Sequence, residues 1–320
     1  MASTSIQLGA IGRYESSLLQ DNFLVYKTRD ASKLNQCLDL DAARCRKNSA
    51  EWSHFVSFLN KAMKERKDIV MSTENYWPNL DLKIYRNLLS QHFDVTIVVS
   101  YRRFFEYWPS IYFQRYRFHC GFTRGKDRLI PSFVDQLRKV NDTQELEHPT
   151  WSTVEAFRVY FPRVEVFNIH PENLVRRFLC DVLSASNACA QSLREEKESH
   201  YNQGTTLFYD RVAQGVQSSK LDVKDKQCKS VRDKVKTRQE NILNQTWLDF
   251  PLVCLSSFEL RWLQNRSLHY EHVLLPECSL CETMHNNAFD LAVNSTLCDV
   301  DVDKVLQEEG WRDYFLNPDA

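Results

Sequence analysis

The sequence predicts an α/β protein: a parallel, doubly wound sheet flanked by helices, with a helix-rich C-terminal part. Three observations predict it. Short apolar β-prone runs alternate with stretches of helical periodicity over roughly the first 190 residues, the pattern that a parallel sheet with crossover helices requires. With 7 Gly and 9 Pro in 320 residues, and many Leu, Lys, Glu and Arg, the chain favours helices, so its sheets are small or buried. Val95 to Val99 is continuously apolar or β-branched, as suits a strand covered on both faces.

The elements follow in order. Ile6, Ala10 and Ile11, then Tyr14, Leu18 and Leu19, recur at helical spacing, which puts Ser3, Thr4 and Ser5 at or just before a helix N-terminus. Phe23 to Tyr26 reads as a buried strand. Trp52, Phe55, Val56, Leu59, Ala62 and Met63 mark one face of an amphipathic helix that ends in a basic run from Lys64 to Lys67. Asp68 to Ser72 reads as the next strand, and Leu80 to His92 as a helix behind Pro78. Val95 to Val99 follows as a strand, and the aromatic residues from Phe104 to Phe118 lie on a helix after it. Val164 to Phe167 is another strand, leading through His170 and Pro171 into a helix over Asn173 to Leu183. Residues 1–190 therefore read as an α/β core and 191–245 as a polar helical segment, whose basic stretch from Lys220 to Arg238 reads first as a solvated helix and otherwise as a surface for an acidic acceptor. Residues 246–320 read as a helical part that packs on the core, all within a single domain.

Composition narrows the classes of function. The 43% hydrophobic and 12% aromatic content marks a folding chain, and a formal net charge of -1 gives it no general bias towards nucleic acid, so any anion site is local. No window approaches the ~18 to 20 unbroken apolar residues of a membrane span. The first residues lack the basic flank and apolar core of a signal peptide. A membrane anchor would thus enter through a segment upstream of Met1. Ten cysteines fit either bridges in an oxidising lumen or buried thiols in the cytosol. Asn-X-Ser/Thr sequons stand at Asn141, Asn244, Asn265 and Asn294.

Two stretches carry chemistry. Ala2-Ser3-Thr4-Ser5-Ile6-Gln7 offers hydroxyls at a helix N-terminus, where backbone N–H groups and the helix dipole favour an anion. In "DVTIVVSYRRFFEYWPSIYFQ" a strand runs straight into Arg102, and a helix bearing Ser110 follows. That order places a guanidinium and a hydroxyl near the carboxyl edge of a parallel sheet, where such folds bind ligands. A bidentate arginine fork suits a terminal phosphate.

These stretches resemble the sulfotransferase superfamily, in particular its divergent P-loop-containing members. The first is similar to the tail of the loop that holds the 5′-phosphosulfate of 3′-phosphoadenosine 5′-phosphosulfate (PAPS). Arg102 and Ser110, eight positions apart, match the arginine and serine that hold its 3′-phosphate. The likeness extends loosely through "VEVFNIH" and "DFPLVCLSSFELRWL". It implies a P-loop-like sheet, PAPS as co-substrate with no metal, and transfer of a sulfuryl group to a hydroxyl, on a carbohydrate. In that scheme Ser3, Thr4 and Ser5 cradle the 5′ side and Arg102 and Ser110 fix the 3′-phosphate. Glu74, just past the strand ending at Ser72, takes the acceptor proton. The family's loop also carries a lysine immediately before the position of Met1, and a strand before that. The resemblance therefore expects an N-terminal truncation, with a Golgi lumen or membrane location if an upstream extension exists and a cytoplasmic one otherwise. The alternative for the literal chain is a non-catalytic, degenerate member of the fold. A P-loop nucleotide kinase is a third class, but the Lys-Ser/Thr start that holds phosphates and Mg²⁺ is not seen.

Other residues have more ordinary readings. His119 and His170 rival Glu74 as bases, yet a satisfied structural histidine is the simpler role for each. Trp77, Tyr101 and Trp108 could stack on adenine or sugar, although aromatics at helical spacing belong first to the core. Cys278 and Cys281 form a Cys-X-X-Cys pair with His285 nearby. No second pair at finger-like spacing accompanies them, so a local disulfide or two thiols explains them better than zinc. No Gly-rich dinucleotide loop and no distinctive Ser-His-Asp set is present.

Overall fold

The computed structural model describes residues 13–73, 81–116, 130–142, 148–170, 174–194, 205–219, 227–293 and 296–316. The chain divides into two compact units. One comprises Met1–Arg102 with Pro149–Ser199, and the other Arg103–His148 with His200–Ala320. The sequence led us to expect an uninterrupted core over 1–190, whereas residues 103–148 group with the C-terminal part.

The first unit alternates strands and helices: α1 (Glu15–Gln20), β1 (Phe23–Tyr26), α2 (Thr28–Asn48), α3 (Ala50–Glu65), β2 (Asp68–Met71), α4 (Leu82–Leu89) and β3 (Thr96–Tyr101). After residue 148 it resumes with α5 (Pro149–Arg158), β4 (Arg163–Asn168), α6 (Leu174–Arg177), which runs into a π turn over Phe178–Val182, and α7 (Ser186–Arg194). β1 pairs parallel with β2, setting Tyr26 opposite Met71, and β3 pairs parallel with β4, setting Tyr101 opposite Asn168. The expected parallel α/β arrangement is therefore present as two small parallel pairs among the described residues. Thr96 and Ser100 of β3 are exposed, so this strand is not covered along its whole length as its apolar run suggested.

Alternation along the strands builds two cores, because successive side chains leave a strand on opposite faces. Tyr26, Ile69, Met71, Ile97 and Val164 join Leu34, Leu38, Phe55, Leu59 and Tyr85 from α2, α3 and α4. Val25, Val70, Val98 and Phe167 join Leu18, Leu174, Leu179 and Ala188 from α1, α6, the π turn and α7. Helix α2 was not foreseen, although Ala31, Leu34, Leu38 and Cys45 are buried at helical spacing. It kinks at Asp41 (φ -162°, ψ 94°), whose Oδ1 accepts the Arg44 N–H at 2.9 Å, and the Cys37–Cys45 disulfide spans the kink. Local chemistry fixes the ends of other elements. Ser49 caps α3 by accepting the Trp52 N–H, and Arg66 closes it in a left-handed conformation. Asp21 accepts the N–H groups of Asn187 and Ala188 at 2.8 Å each, capping α7 from a distant part of the chain.

The second unit contains α8 (Phe104–Tyr116), α9 (Phe133–Asp142), α10 (Thr205–Ser218) and α11 (Cys228–Thr237), which runs into a π turn over Arg238–Ile242. A short 3-10 turn (Trp247–Asp249) leads to β5 (Leu252–Cys254), α12 (Ser257–Leu274), α13 (Cys281–Val293), β6 (Cys298–Val300), α14 (Val302–Gln307) and α15 (Glu309–Leu316). β5 and β6 are antiparallel and joined by the Cys254–Cys298 disulfide, a small sheet in a region expected to be helix-rich.

The described part of the segment expected to be polar and helical is helical, and its apolar face is central to this unit's core. Phe208, Tyr209, Val212, Ala213 and Val216 of α10 pack with Val231 and Val235 of α11 and with Phe250, Val300, Trp311 and Phe315. Average polarity hid this stripe, because the apolar residues occupy one face of each helix. Trp247 stacks on Phe208 with ring centroids 3.8 Å apart, and Arg238 lies over the rings of Trp311 and Tyr314. Among the described residues, no helix is long and apolar enough to cross a membrane.

Candidate functional site

The carboxyl ends of the parallel strands are where a fold of this kind presents its ligand-binding groups. β3 delivers Tyr101 and then Arg102, while β4 delivers Asn168 and then Ile169 and His170. The Ile169 N–H donates to the Tyr101 carbonyl at 3.2 Å, so the two chains stay side by side one residue beyond the strands. Asn168 fixes the turn that follows, its Oδ1 accepting the His170 N–H at 3.0 Å. Arg177 braces the same end, donating from Nη1 to the Asn168 carbonyl at 3.0 Å with its guanidinium over the Phe167 ring. Thr150 Oγ1 donates to the Ser100 carbonyl at 3.2 Å, holding the last turn of β3 from α5. Arg102 thus leaves a rigidly held strand end and is half-buried.

The other nominated residues stand as follows. Ser110 lies on α8 in the second unit, half-buried, and its hydroxyl makes no hydrogen bond among the described residues. Arg102 closes the first stretch of the first unit. Ser3, Thr4, Ser5 and Glu74 lie outside the described residues, as do Trp77 and His119. β2 ends at Met71, three residues before Glu74.

Two side chains weighed for chemistry serve packing. Tyr101 is fully buried, with its ring edge-on to His170 at 5.8 Å between centroids. Trp108 packs edge-on against Phe104 and Tyr107. Arg103 is 4% exposed and pairs with the fully buried Glu271, with Nε 3.1 Å from Oε2. The adjacent arginines thus part company: Arg103 is a structural ion of the second unit.

Cys278 and Cys281 are bridged to each other, which removes both sulfurs from metal binding. His285 is buried against Phe105 and Phe289. Among the described residues no group of three or more His, Cys, Asp or Glu side chains is placed to hold a metal ion.

Sequence reading passed over Lys27. It is exposed at the carboxyl end of β1 and forms the N-cap of α2, with Thr28 as the first helical residue. A cation beside a helix N-terminus suits an anionic group; the readable signal was an apolar strand followed directly by Lys-Thr and a helix. An open groove of about 390 Å³ lies elsewhere in the first unit, between Arg46, Trp52, Asp81, Lys83 and Asn87, and none of the nominated residues lines it.

No protein family, curated protein or solved structure matches the chain.

Proposed function

We propose that the protein is a P-loop-like sulfotransferase that takes PAPS as co-substrate and transfers its sulfuryl group to a hydroxyl, on a carbohydrate acceptor. The observation that carries this reading is the placement of Arg102 at the carboxyl end of β3, in a parallel pair with helices packed on both faces of its strands, with Ser110 eight residues on at a helix. Arg102 would grip the 3′-phosphate through paired N–H donors, and the Ser110 hydroxyl would donate to the same group. Ser3, Thr4 and Ser5 would hold the 5′ end by their hydroxyls and the backbone N–H groups around them. Glu74 would accept the proton of the acceptor hydroxyl. When bound, the donor supplies an activated sulfuryl group and a nucleotide leaving group.

Calorimetric titration with 3′-phosphoadenosine 5′-phosphate, with and without Mg²⁺, tests the reading. Binding that needs no Mg²⁺, weakens when the 3′-phosphate is removed, and falls at least about tenfold in Arg102→Ala is the expected result, since a charge-assisted hydrogen bond contributes about 1.5–3 kcal/mol. Mg²⁺-dependent binding of ATP would instead support nucleotide kinase chemistry. Binding of neither overturns the proposal.

A further inference from the structure

We infer that Asn244 carries an N-linked glycan. The sequon Asn244-Gln245-Thr246 sits in the turn that follows the π turn Arg238–Ile242, and every residue from Asn241 to Thr246 is exposed. The turn is held firmly from beneath. The Leu243 N–H donates to the Arg238 carbonyl at 2.9 Å, the Gln245 N–H to the Gln239 carbonyl at 2.8 Å, and the buried Gln239 side chain donates from Nε2 to the Thr246 carbonyl at 2.7 Å. At its apex Asn244 takes a left-handed conformation (φ 51°), and its amide makes no hydrogen bond among the described residues. A bulky substituent there displaces nothing.

Two independent observations point the same way. The first is redox chemistry. Cys37–Cys45, Cys180–Cys189, Cys254–Cys298 and Cys278–Cys281 are disulfides, Cys228 is bridged as well, and no free cysteine is found among the described residues. Bridging on this scale belongs to an oxidising lumen, the compartment in which sequons meet lipid-linked oligosaccharide. The second is the surface itself. Ile242 is 62% exposed, Leu248 41% and Leu243 39%, an apolar stretch flanking Asn244 with no described cover. Such surface asks for something to shield it, and a glycan rooted at Asn244 does so.

Among the described residues, the Asn265 sequon fits less well. Asn265 lies within α12, and the hydroxyl of its Ser267 is fully buried, accepting the Phe104 N–H at 3.1 Å. The Asn141 side chain, Thr143 and Asn294 lie outside the described residues. In the transfer, the Asn244 amide nitrogen bonds to C1 of the first sugar and loses a proton, while the bond from C1 to the phosphate oxygen breaks and the lipid pyrophosphate leaves. The co-reactant is therefore a polyprenyl-pyrophosphate oligosaccharide.

The experiment is a peptide map of the full chain purified from the cells that make it, reduced, alkylated, and treated with peptide-N-glycosidase in heavy-oxygen water before trypsin. The expected result is a Gln239–Arg261 peptide bearing a heavy-oxygen Asp at position 244; Asn244→Gln should also remove one step from the deglycosylation ladder that Asn265→Gln retains. Recovery of the peptide with Asn244 wholly intact overturns the inference. The outcome does not depend on which nucleotide the protein binds, so it stands or falls apart from the proposed sulfuryl transfer.

Discussion

Arg102 and Arg103 are identical, adjacent side chains with opposite expected phenotypes. Arg103→Ala leaves Glu271 buried without this cation, and breaking a buried pair in this way costs about 3–5 kcal/mol, so the urea midpoint should fall steeply. Arg102→Ala should leave that midpoint nearly unchanged while losing nucleotide affinity. Equal loss of stability in both variants would remove the distinction. Asp210 carries a different signature. Burial is the largest influence on its carboxyl and raises it from 3.8 to about 7, against the partial opposition of Arg232, whose Nη1 stands 3.6 Å away. Between those two values the folded chain keeps a proton that the unfolded chain has lost. This group's contribution is therefore fully favourable below the unfolded value and is lost as pH rises through the folded one, by up to about 1.4 kcal/mol per pH unit. Asp210→Asn should flatten the wild-type fall in stability between about pH 4 and 7; a variant with the wild-type slope contradicts this assignment. Nothing in the local sequence marks Asp210 as buried except its place in the apolar stripe of α10, whereas Arg102 was legible because it directly follows a strand that opens on a β-branched run.

At the scale of elements, hydrophobic period decided what could be read. β1, β2, β3 and β4 were each anticipated within a residue or two, because short apolar runs between helical stretches leave little alternative. The antiparallel pair β5 and β6 was not, since three residues are too few to show a period and the pairing joins segments 44 residues apart through Cys254 and Cys298. Helix α2 escaped through its many polar residues, although its buried positions fall at helical spacing. The packing of α10 on α14 yields a test. A methyl group at Gly215 would collide with Cγ1 of Val302, a β-branched side chain that cannot swing aside. Gly215→Ala gains about 1 kcal/mol in helix propensity and loses about 1–3 kcal/mol to overpacking. A lower melting temperature is expected; an unchanged or higher one shows that α14 gives way.

For the whole molecule, disulfides and the packed cores of the two units share the work of stability. Among the disulfides whose two cysteines are both described, Cys254–Cys298 closes the longest loop, so replacing both residues by serine should cost about 2–4 kcal/mol, read as a fall in the unfolding midpoint. Reduction of the wild-type protein should lower its midpoint at least as far as the double substitution does, because it opens the other bridges too. A midpoint indifferent to reductant would mean that packing alone sustains both units.

By itself the sequence determined the class of the fold, the positions of its four parallel strands and the strand-end location of Arg102, because these depend on local periodicity and chain order. It also supplied the Arg102 and Ser110 spacing on which the sulfotransferase reading rests. Only the tertiary structure decided that residues 103–148 group with the C-terminal part, that the polar segment hides the core of the second unit, and which cysteines are joined. It alone separated Arg102 from Arg103, and the Asn244 sequon from that of Asn265, whose Ser267 is buried. Each of those outcomes is a matter of what lies across space from a residue, and burial and pairing are properties of packed neighbours that no short stretch of chain contains.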